Sequence, residues 1–571
     1  MKTVTIKSQD EAAALLPNLD PLIATILVNR GITTQEAADA VLAPSYDEHS
    51  HDPFLMKDME KVVTRILKAI ENKERIGIFT DYDADGIPGG VVMHDFLTKI
   101  GHNNFRIYIP HRHTEGFGLS TDAVNTLHKD GITLLITIDC GIVDVEETQH
   151  ANSLGIDVII TDHHLPHDEV PEAFAIINPK QVGCEYPEKM LCGSGVIYKV
   201  IQGIMKKNSF GLPIGWEKWL LDMVGIATLS DMVPLRGENR VFAHYGLKVL
   251  RKSPRLGLQT LCSSMKITQQ FINEEDIGFS ITPRINVASR MSDPRDAFDL
   301  LSTTDTSRAY TLVKELDVKN NERKGLVASI AKEIKHRIKE DPSYETLPVF
   351  VMGDSKWKPA VLGLAANTIM REINKPVFLW GKEDGEVYKG SCRSPGPSVV
   401  DIMLACPEGT FVEAGGHAMS GGFAIADEAV FDIRETINAA YMELEKTKGD
   451  LTSADQVLTI DARLPLASVN KKTWNALATC APFGEGYSKP LFIFENVTVE
   501  AIKPFGKTKE HIELTLSDSG AKNIKAIQFF AHDNPAILKL TPWSQVSIIG
   551  HLEESRFKSY PEYRIKIVEI I

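Results

Sequence analysis

Ile76-Gly77-Ile78-Phe79-Thr80-Asp81-Tyr82-Asp83-Ala84-Asp85-Gly86 joins a short apolar run to a loop crowded with carboxylates. Such a run suits a strand buried on both faces, and the acids follow where that strand should end. Comparable runs recur at Phe105-Arg106-Ile107-Tyr108-Ile109, Leu134-Leu135-Ile136-Thr137-Ile138 and Val158-Ile159-Ile160. Amphipathic segments separate them, so the region reads as an α/β unit, a parallel sheet with helical crossovers. Asp139-Cys140-Gly141 follows the third run and Asp162-His163-His164 the fourth, while Leu229-Ser230 leads into Asp231-Met232-Val233-Pro234. The reading places all four polar groups at strand ends, the edge at which open α/β sheets bind their ligands.

Carboxylates gathered at one edge repel each other and need cations between them or raised pKa values. Oxygen donors with one or two imidazoles suit Mn²⁺ or Mg²⁺ better than a thiolate metal. Two such ions about 3.5–4 Å apart would support in-line phosphoryl displacement. An Asp-x-Asp-x-Asp-Gly loop also opens an EF-hand, but its twelfth position here is Val92 instead of Glu, and the loop follows a strand. A single Asp at a strand end is usually a cap or turn former. Four coincidences in succession point instead to a metal cluster.

Outward from this core, residues 1–54 read as short helices leading to Asp52-Pro53-Phe54. From about 261 the pattern turns helical, and Leu326, Ile330, Ile334 and Ile338 mark one face of a long exposed connecting helix that Asp341-Pro342 ends. A second mixed α/β unit begins at Pro348-Val349-Phe350-Val351 and runs to the polar stretch Lys446–Asp450. Beyond it, His511–Leu516 and Tyr563–Ile567 alternate polar and apolar residues, predicting a small β-barrel of five or six strands. The 571 residues exceed one core, and 43% hydrophobic with 24% charged residues is ordinary for a globular chain. A net charge of −14 argues against bulk electrostatic coating of nucleic acid but leaves room for a local basic groove. No apolar run reaches the roughly 20 residues of a membrane span, and Met1-Lys2-Thr3-Val4-Thr5 does not open a signal region. Seven scattered cysteines without a CxxC pair fit a reducing cytoplasm.

Asp81-Tyr82-Asp83-Ala84-Asp85-Gly86 together with Asp162-His163-His164 resembles the DHH phosphoesterase superfamily, and within it the RecJ family of single-stranded-DNA exonucleases. The likeness extends along the chain through Thr114-Glu115-Gly116-Phe117-Gly118, Leu191-Cys192-Gly193-Ser194-Gly195, Pro283-Arg284-Ile285-Asn286, Lys389–Ser394, Gly415-Gly416-His417-Ala418-Met419 and Pro482–Gly486. The resemblance implies an N-terminal helical extension at 1–54, a DHH catalytic domain at 55–260 and a helical connector at 261–345. A DHHA1 substrate-binding domain at 346–446 and an OB-like β-barrel for single-stranded DNA at 454–571 complete it. It implies a metal-dependent exodeoxyribonuclease of DNA repair and recombination. This enzyme would work 5′ to 3′ and release 5′-mononucleotides by two-metal hydrolysis with Mn²⁺ or Mg²⁺. Asp83, Asp85, Asp139, His163 and Asp231 would be metal ligands, with Asp81 and His164 beside them as a further ligand or transition-state partner. A single-strand-binding protein and a helicase are the implied partners.

Further roles combine resemblance with chemistry. Ser391 and Arg393 suit an anion, because a guanidinium grips phosphate in bidentate fashion. With Arg112 they resemble the family's pocket for a 5′-terminal phosphate, and Arg284 joins the implied DNA contacts. Gly415 and Gly416 would let backbone amides approach a phosphate while His417 donates a hydrogen bond. Phe117 stands where the family commonly has Tyr, and its ring could stack on a base or narrow the entrance against duplex. In the barrel, Lys507, Lys509, Lys525, Phe529, Phe530 and Phe557 mix basic and aromatic character as a single-strand groove would. Phe529 and Phe530, read as strand neighbours, should point to opposite faces, leaving at most one exposed. Pro88-Gly89, Trp357-Lys358-Pro359 and Arg556-Phe557-Lys558 depart from the family pattern. Two rival readings are a small-substrate phosphohydrolase of the superfamily and a non-catalytic DNA-binding scaffold. Relatives of the first kind usually lack the barrel and the N-terminal extension; those of the second have lost acids that this chain keeps.

Overall fold

A computed structural model describes residues 8–382, 387–448, 458–531, 534–556 and 560–571. The apolar runs become the strands β1 (Ile76–Thr80), β2 (Phe105–Tyr108), β3 (Leu134–Ile138) and β4 (Asp157–Thr161). A short β5 (Ala175–Ile177), too brief to stand out in the sequence, completes a fully parallel sheet of order β2-β1-β3-β4-β5. Every residue of β1 and β3 is buried, as a sheet covered on both faces requires. Pro88 sits in the first turn of the helix Gly86–Lys99, where its missing N–H costs nothing.

One placement read from the sequence is wrong. Leu229-Ser230 does not end a strand: Leu221–Ser230 is a helix, and Asp231 is its C-cap. This helix is apolar on nearly every side because it packs against Gly86–Lys99, Gly193–Lys207 and Gly237–Leu250. A continuous apolar run cannot by itself distinguish a buried helix from a buried strand. Asp231 reaches the carboxylate cluster all the same, carried there by helix packing.

The described chain divides into two compact units. The first holds the residues up to Pro110, Glu115–Thr282 and the C-terminal residues from 458; the second holds His111–Thr114 and the stretch from Pro283 to 448. In the second unit β6 (Phe350–Asp354), β7 (Val377–Gly381), β8 (Tyr388–Arg393), β9 (Glu413–His417) and β10 (Ser420–Ile425) form a mixed sheet of order β6-β7-β8-β10-β9. The helix Thr306–Glu340 presents Ile330 and Ile334 to the core of this unit, with Leu326 and Ile338 partly buried beside them. Trp357 is buried in the same core and donates from Nε1 to Glu333 on that helix at 3.0 Å.

The C-terminal region of the first unit contains β11 (Ala462–Arg463), β12 (Phe492–Phe505), β13 (His511–Ser517), β14 (Ile524–Gln528), β15 (Gln545–Ser555) and β16 (Glu562–Ile570). Strands run β12-β13-β14-β16-β15, and β15 pairs back to β12, closing the expected barrel. Its core continues into Ala12, Leu16 and the apolar face of the helix Pro21–Asn29. Arg30 grips both oxygens of Asp461 at 2.8 and 3.0 Å, so the N-terminal helices are fastened to the barrel. The buried Arg240 donates to the carbonyls of Val41, Pro482 and Cys480 and ties the helices beside the parallel sheet to both.

The barrel overturns a second expectation. Phe529 and Phe530 lie in the turn after β14, where strand alternation no longer applies, and both are exposed, at 41% and 73%. Phe530 adopts a positive φ of 53°, and its N–H donates to His511 Nδ1 at 3.1 Å. The His511 ring contacts both phenylalanines and Phe505 edge-on, with centroids 4.8–5.2 Å away. Phe557 lies outside the described residues. Among the described residues no helix is long and apolar enough to cross a membrane.

Candidate metal centre and phosphate-binding face

The loop after β1 builds the first half of the acidic site. Asp83 caps the following turn, its Oδ1 accepting from the backbone N–H of Asp85 at 2.7 Å and of Gly86 at 3.3 Å. Asp85 is buried and its oxygens accept from the backbone N–H groups of Gly193 and Ser194 at 2.6 and 2.7 Å. These two donors open the helix Gly193–Lys207, so its positive end faces the carboxylate. Gly193 is required by space: a Cβ there would lie 2.5 Å from Asp139 Cβ. Gly193 and Ser194 entered the sequence reading only through a family motif. Their physical signal was a Gly-Ser-Gly opening of a helix.

The second half comes from β3, β4 and the helix ending at Ser230. His163 Nε2 lies 3.2 Å from Asp139 Oδ1, 3.7 Å from Asp231 Oδ2 and 3.8 Å from Asp85 Oδ2. Three ligand sets, Asp81/Asp83/Asp139, Asp85/His163/Asp231 and Asp139/His163/His164, each bring one donor atom per residue within 4.8 Å of the others. All five residues expected as ligands and both expected neighbours, Asp81 and His164, therefore converge. Asp162 plays another part. Fully buried, it accepts from the N–H groups of His163, His164 and Ile142 and from His164 Nδ1, and so orders the turn.

Charge decides what this arrangement can hold. Burial, and then the positive charge of His164, hold His163 down at about 3, a neutral imidazole that also hydrogen-bonds the Leu191 main chain. Burial and the neighbouring acids push Asp139 well up from the usual carboxylate range; burial, Asp85 and Asp83 lift Asp231 to about 8. Burial and Asp83 raise Asp85 to about 6. A neutral ring cannot balance that many carboxylates, so the site fits divalent cations, and its oxygen donors with one imidazole suit hard ions such as Mn²⁺ or Mg²⁺. His164 differs. Burial opposes its charge, but the Asp162 hydrogen bond and the surrounding acids overcome that and raise it to about 9. With Nδ1 committed to Asp162, its Nε2–H remains available as a donor. The Phe117 ring, 47% exposed, meets the His164 ring edge-on at 5.6 Å.

The second unit carries the other expected group. In the sheet register, Arg393 pairs with Ser420, which pairs with His417, while Ser391 pairs with Gly422, which pairs with Gly415. Paired residues share a face, so Ser391, Arg393, Gly415 and His417 lie together, with Gly416 on the opposite face. A Cβ on Gly415 would meet nothing within 4 Å, which leaves an open floor. A Cβ on Gly363, from the helix Pro359–Ile373, would approach Arg393 Nη2 to 2.7 Å. Burial and the like charge of Arg112 push Arg393 below its ordinary value, an arrangement that favours an anion. Arg284 donates from Nε to Asp317 at 2.6 Å. In the barrel, Lys507 and Lys509 are exposed on the turn beside the aromatic cluster, whereas Lys525 is paired with Glu513 at 3.1 Å.

Comparison with known proteins agrees with this geometry. Residues 75–228 match the DHH family, N-terminal domain; 346–443 match the DHHA1 domain; 460–569 match the RecJ OB domain. A Bacillus subtilis (strain 168) relative named single-stranded-DNA-specific exonuclease RecJ is 33% identical over 568 residues, spanning 98% of this chain and 69% of the relative. The crystal structure of Thermus thermophilus RecJ in complex with Mn²⁺ superposes with a TM-score of 0.80 at 26% identity, covering 100% of this chain and 78% of that one. The same organism's RecJ in complex with Mg²⁺ shares the fold, with a TM-score of 0.73 at 24% identity over 100% and 77% of the two chains. From its acidic sheet edge to its closed barrel, this chain belongs to the RecJ family of DHH phosphoesterases.

Proposed function

We propose that this chain is a metal-dependent exodeoxyribonuclease that degrades single-stranded DNA from the 5′ end and releases 5′-mononucleotides. The observation that carries the reading is the neutral His163 facing Asp85, Asp139 and Asp231, a donor set that calls for cations. Asp83, Asp85, Asp139, His163 and Asp231 would hold two ions of Mn²⁺ or Mg²⁺, with Asp81 as a neighbouring donor. Bound there, such ions supply Lewis acidity toward a phosphodiester and an activated water. His164 holds a proton on Nε2 and can donate it as a hydrogen bond to a phosphoryl oxygen, with Asp162 fixing the ring. Arg112, Ser391 and Arg393 would bind the terminal 5′-phosphate, with Gly415 and His417 beside them on the same face and Gly416 on the other.

Phe117 would stack on a base near the scissile bond and crowd out a second strand. Arg284, oriented by its ion pair with Asp317, would offer its guanidinium to the strand backbone. On the barrel, Phe505, Phe529, Phe530 and His511 offer rings to successive bases, and Lys507 and Lys509 attract the backbone, a combination suited to unpaired strands. The domain division 1–54, 55–260, 261–345, 346–446 and 454–571 assigns catalysis, phosphate capture and strand binding to separate parts. Seven free, buried cysteines suit the cytoplasm. A single-strand-binding protein and a helicase would be the partners that deliver unpaired strands in repair and recombination.

The test compares 5′- and 3′-labelled single strands with a blunt duplex, in Mn²⁺ and in Mg²⁺. Label should leave first from the 5′ end of single strands. Degradation starting at a free 3′ end, equal attack on duplex, or full Mn²⁺-dependent activity in Asp139→Ala would each overturn the reading.

A further inference from the structure

Phe117 sits in a turn with no regular backbone pairing of its own. Two features hold the C-terminal end of that turn. The Leu119 N–H donates to Asp144 Oδ2 at 2.7 Å. Gly118 takes a positive φ of 81°, and a Cβ on it would lie 2.7 Å from both Asp144 oxygens. Asp144 itself is buried and belongs to the loop that starts at Asp139. Its N–H donates to the Gly141 carbonyl at 3.2 Å, and it precedes the helix Val145–Ser153 without capping it through its side chain. The carboxylate is therefore turned toward the Phe117 turn instead of its own helix.

Followed residue by residue, these contacts close a circuit. His164 Nδ1 donates to Asp162 Oδ1 at 2.8 Å, and Asp162 Oδ2 accepts from Ile142 N at 3.0 Å. Two residues on, Asp144 holds Leu119, and the turn behind Leu119 returns the Phe117 ring to His164 at 5.6 Å. Removing Asp144 opens the circuit where the Asp139 loop meets the Phe117 turn.

We infer that Asp144 is a positioning residue that latches the Phe117 turn to the acidic sheet edge and thereby sets the Phe117 ring against His164. The inference rests on the strand-contacting role of Phe117 proposed above, because only then does ring placement affect substrate binding. A carboxylate is not needed for the latch, since any short side chain with an acceptor oxygen at the same position would hold the Leu119 N–H. Asp144→Asn should therefore preserve it and Asp144→Ala should break it.

Amide hydrogen exchange across residues 115–120 of the full chain reads the latch directly. Asp144→Ala should speed exchange there roughly tenfold, the scale of losing one hydrogen bond to a charged group, and Asp144→Asn should restore it. On single-stranded oligonucleotides, Asp144→Ala should raise KM several-fold and move kcat little, with no further rise when added to Phe117→Ala. Unchanged exchange in Asp144→Ala, or an Asn variant as impaired as the Ala variant, would overturn the latch. A KM that ignores Phe117→Ala while exchange still responds to Asp144→Ala would sink the role given to Phe117 and leave the latch standing.

Discussion

The edge of the parallel sheet β2-β1-β3-β4-β5 and the face of the mixed sheet β8-β10-β9 solve opposite electrostatic problems. The first crowds Asp81, Asp83, Asp85, Asp139 and Asp231 around a neutral His163 and buries most of them. The second brings Arg393 close to Arg112 over a floor of glycines that stays open. Each gathers like charges, and each suits a ligand of the other sign. The contrast lies in rigidity. The acidic edge is braced by strand ends, a helix N-terminus and the Asp162 hydrogen bonds, because a metal ion demands fixed donors. The basic face is left open at Gly415, as the proposed capture of a strand's terminal phosphate requires.

The largest way to test that contrast removes one ligand. Asp139→Ala should lower Mn²⁺-dependent hydrolysis of single strands by about 10³-fold or more, the scale of several kcal/mol of transition-state charge stabilisation. Initial rates with saturating oligonucleotide check it, and a small effect would mean that the acidic edge is not the reaction centre.

On the basic face the effect should fall on binding. Arg393→Ala should raise KM for 5′-phosphorylated strands by roughly 10–100-fold, as loss of a charge-assisted hydrogen bond would. The same variant should treat 5′-hydroxyl strands nearly as the parent does. Arg393→Lys should recover only part, because an ammonium lacks the planar fork.

A smaller effect is expected on the barrel. Phe530→Ala should weaken binding of long single strands by about 5–10-fold, near the lower end of one base-stacking interaction. Strands too short to reach the barrel should be hydrolysed at the parent rate, and equal losses on short and long strands would remove the barrel from the reading.

The smallest effect concerns stability. Asp231, raised to about 8, binds a proton more tightly in the folded chain than at the unfolded carboxylate value near 3.9. Folded chains therefore hold more protons between those values, and stability rises as pH falls through 8. His164, raised to about 9, acts in the same direction. Without divalent ions the melting temperature should be a few degrees higher at pH 6.5 than at pH 8.5, and saturating Mn²⁺ should remove or reverse that order, because bound cations stabilise the ionised carboxylates. Calorimetry in chelator and in Mn²⁺ measures both.

Much of the site was legible because local pattern and chemistry coincide in it. Asp83, Asp139 and His163 each follow a buried apolar run, so strand recognition alone located them. Asp231 was found for the wrong structural reason: its apolar run is a helix held among three others, and the pattern does not separate the two cases. The exposure of Phe529 together with Phe530 was misjudged because β14 stops at Gln528, and a turn has no alternating faces. Asp144 carried no signal at all, since its partner Leu119 is 25 residues away.

By itself the sequence determined which segments are strands or helices wherever period and length agree, that acids and imidazoles follow the strands, and that the chain resembles DHH phosphoesterases. Those properties are local, written in spacings of two to four residues. Tertiary structure alone decided that His163 faces Asp85, Asp139 and Asp231, that Gly193 and Ser194 brace Asp85, and that Arg393 lies beside Arg112. The physical reason is that such meetings depend on strand register and on helices packing across hundreds of residues, where burial and crowding set charge states that the free side chains do not have.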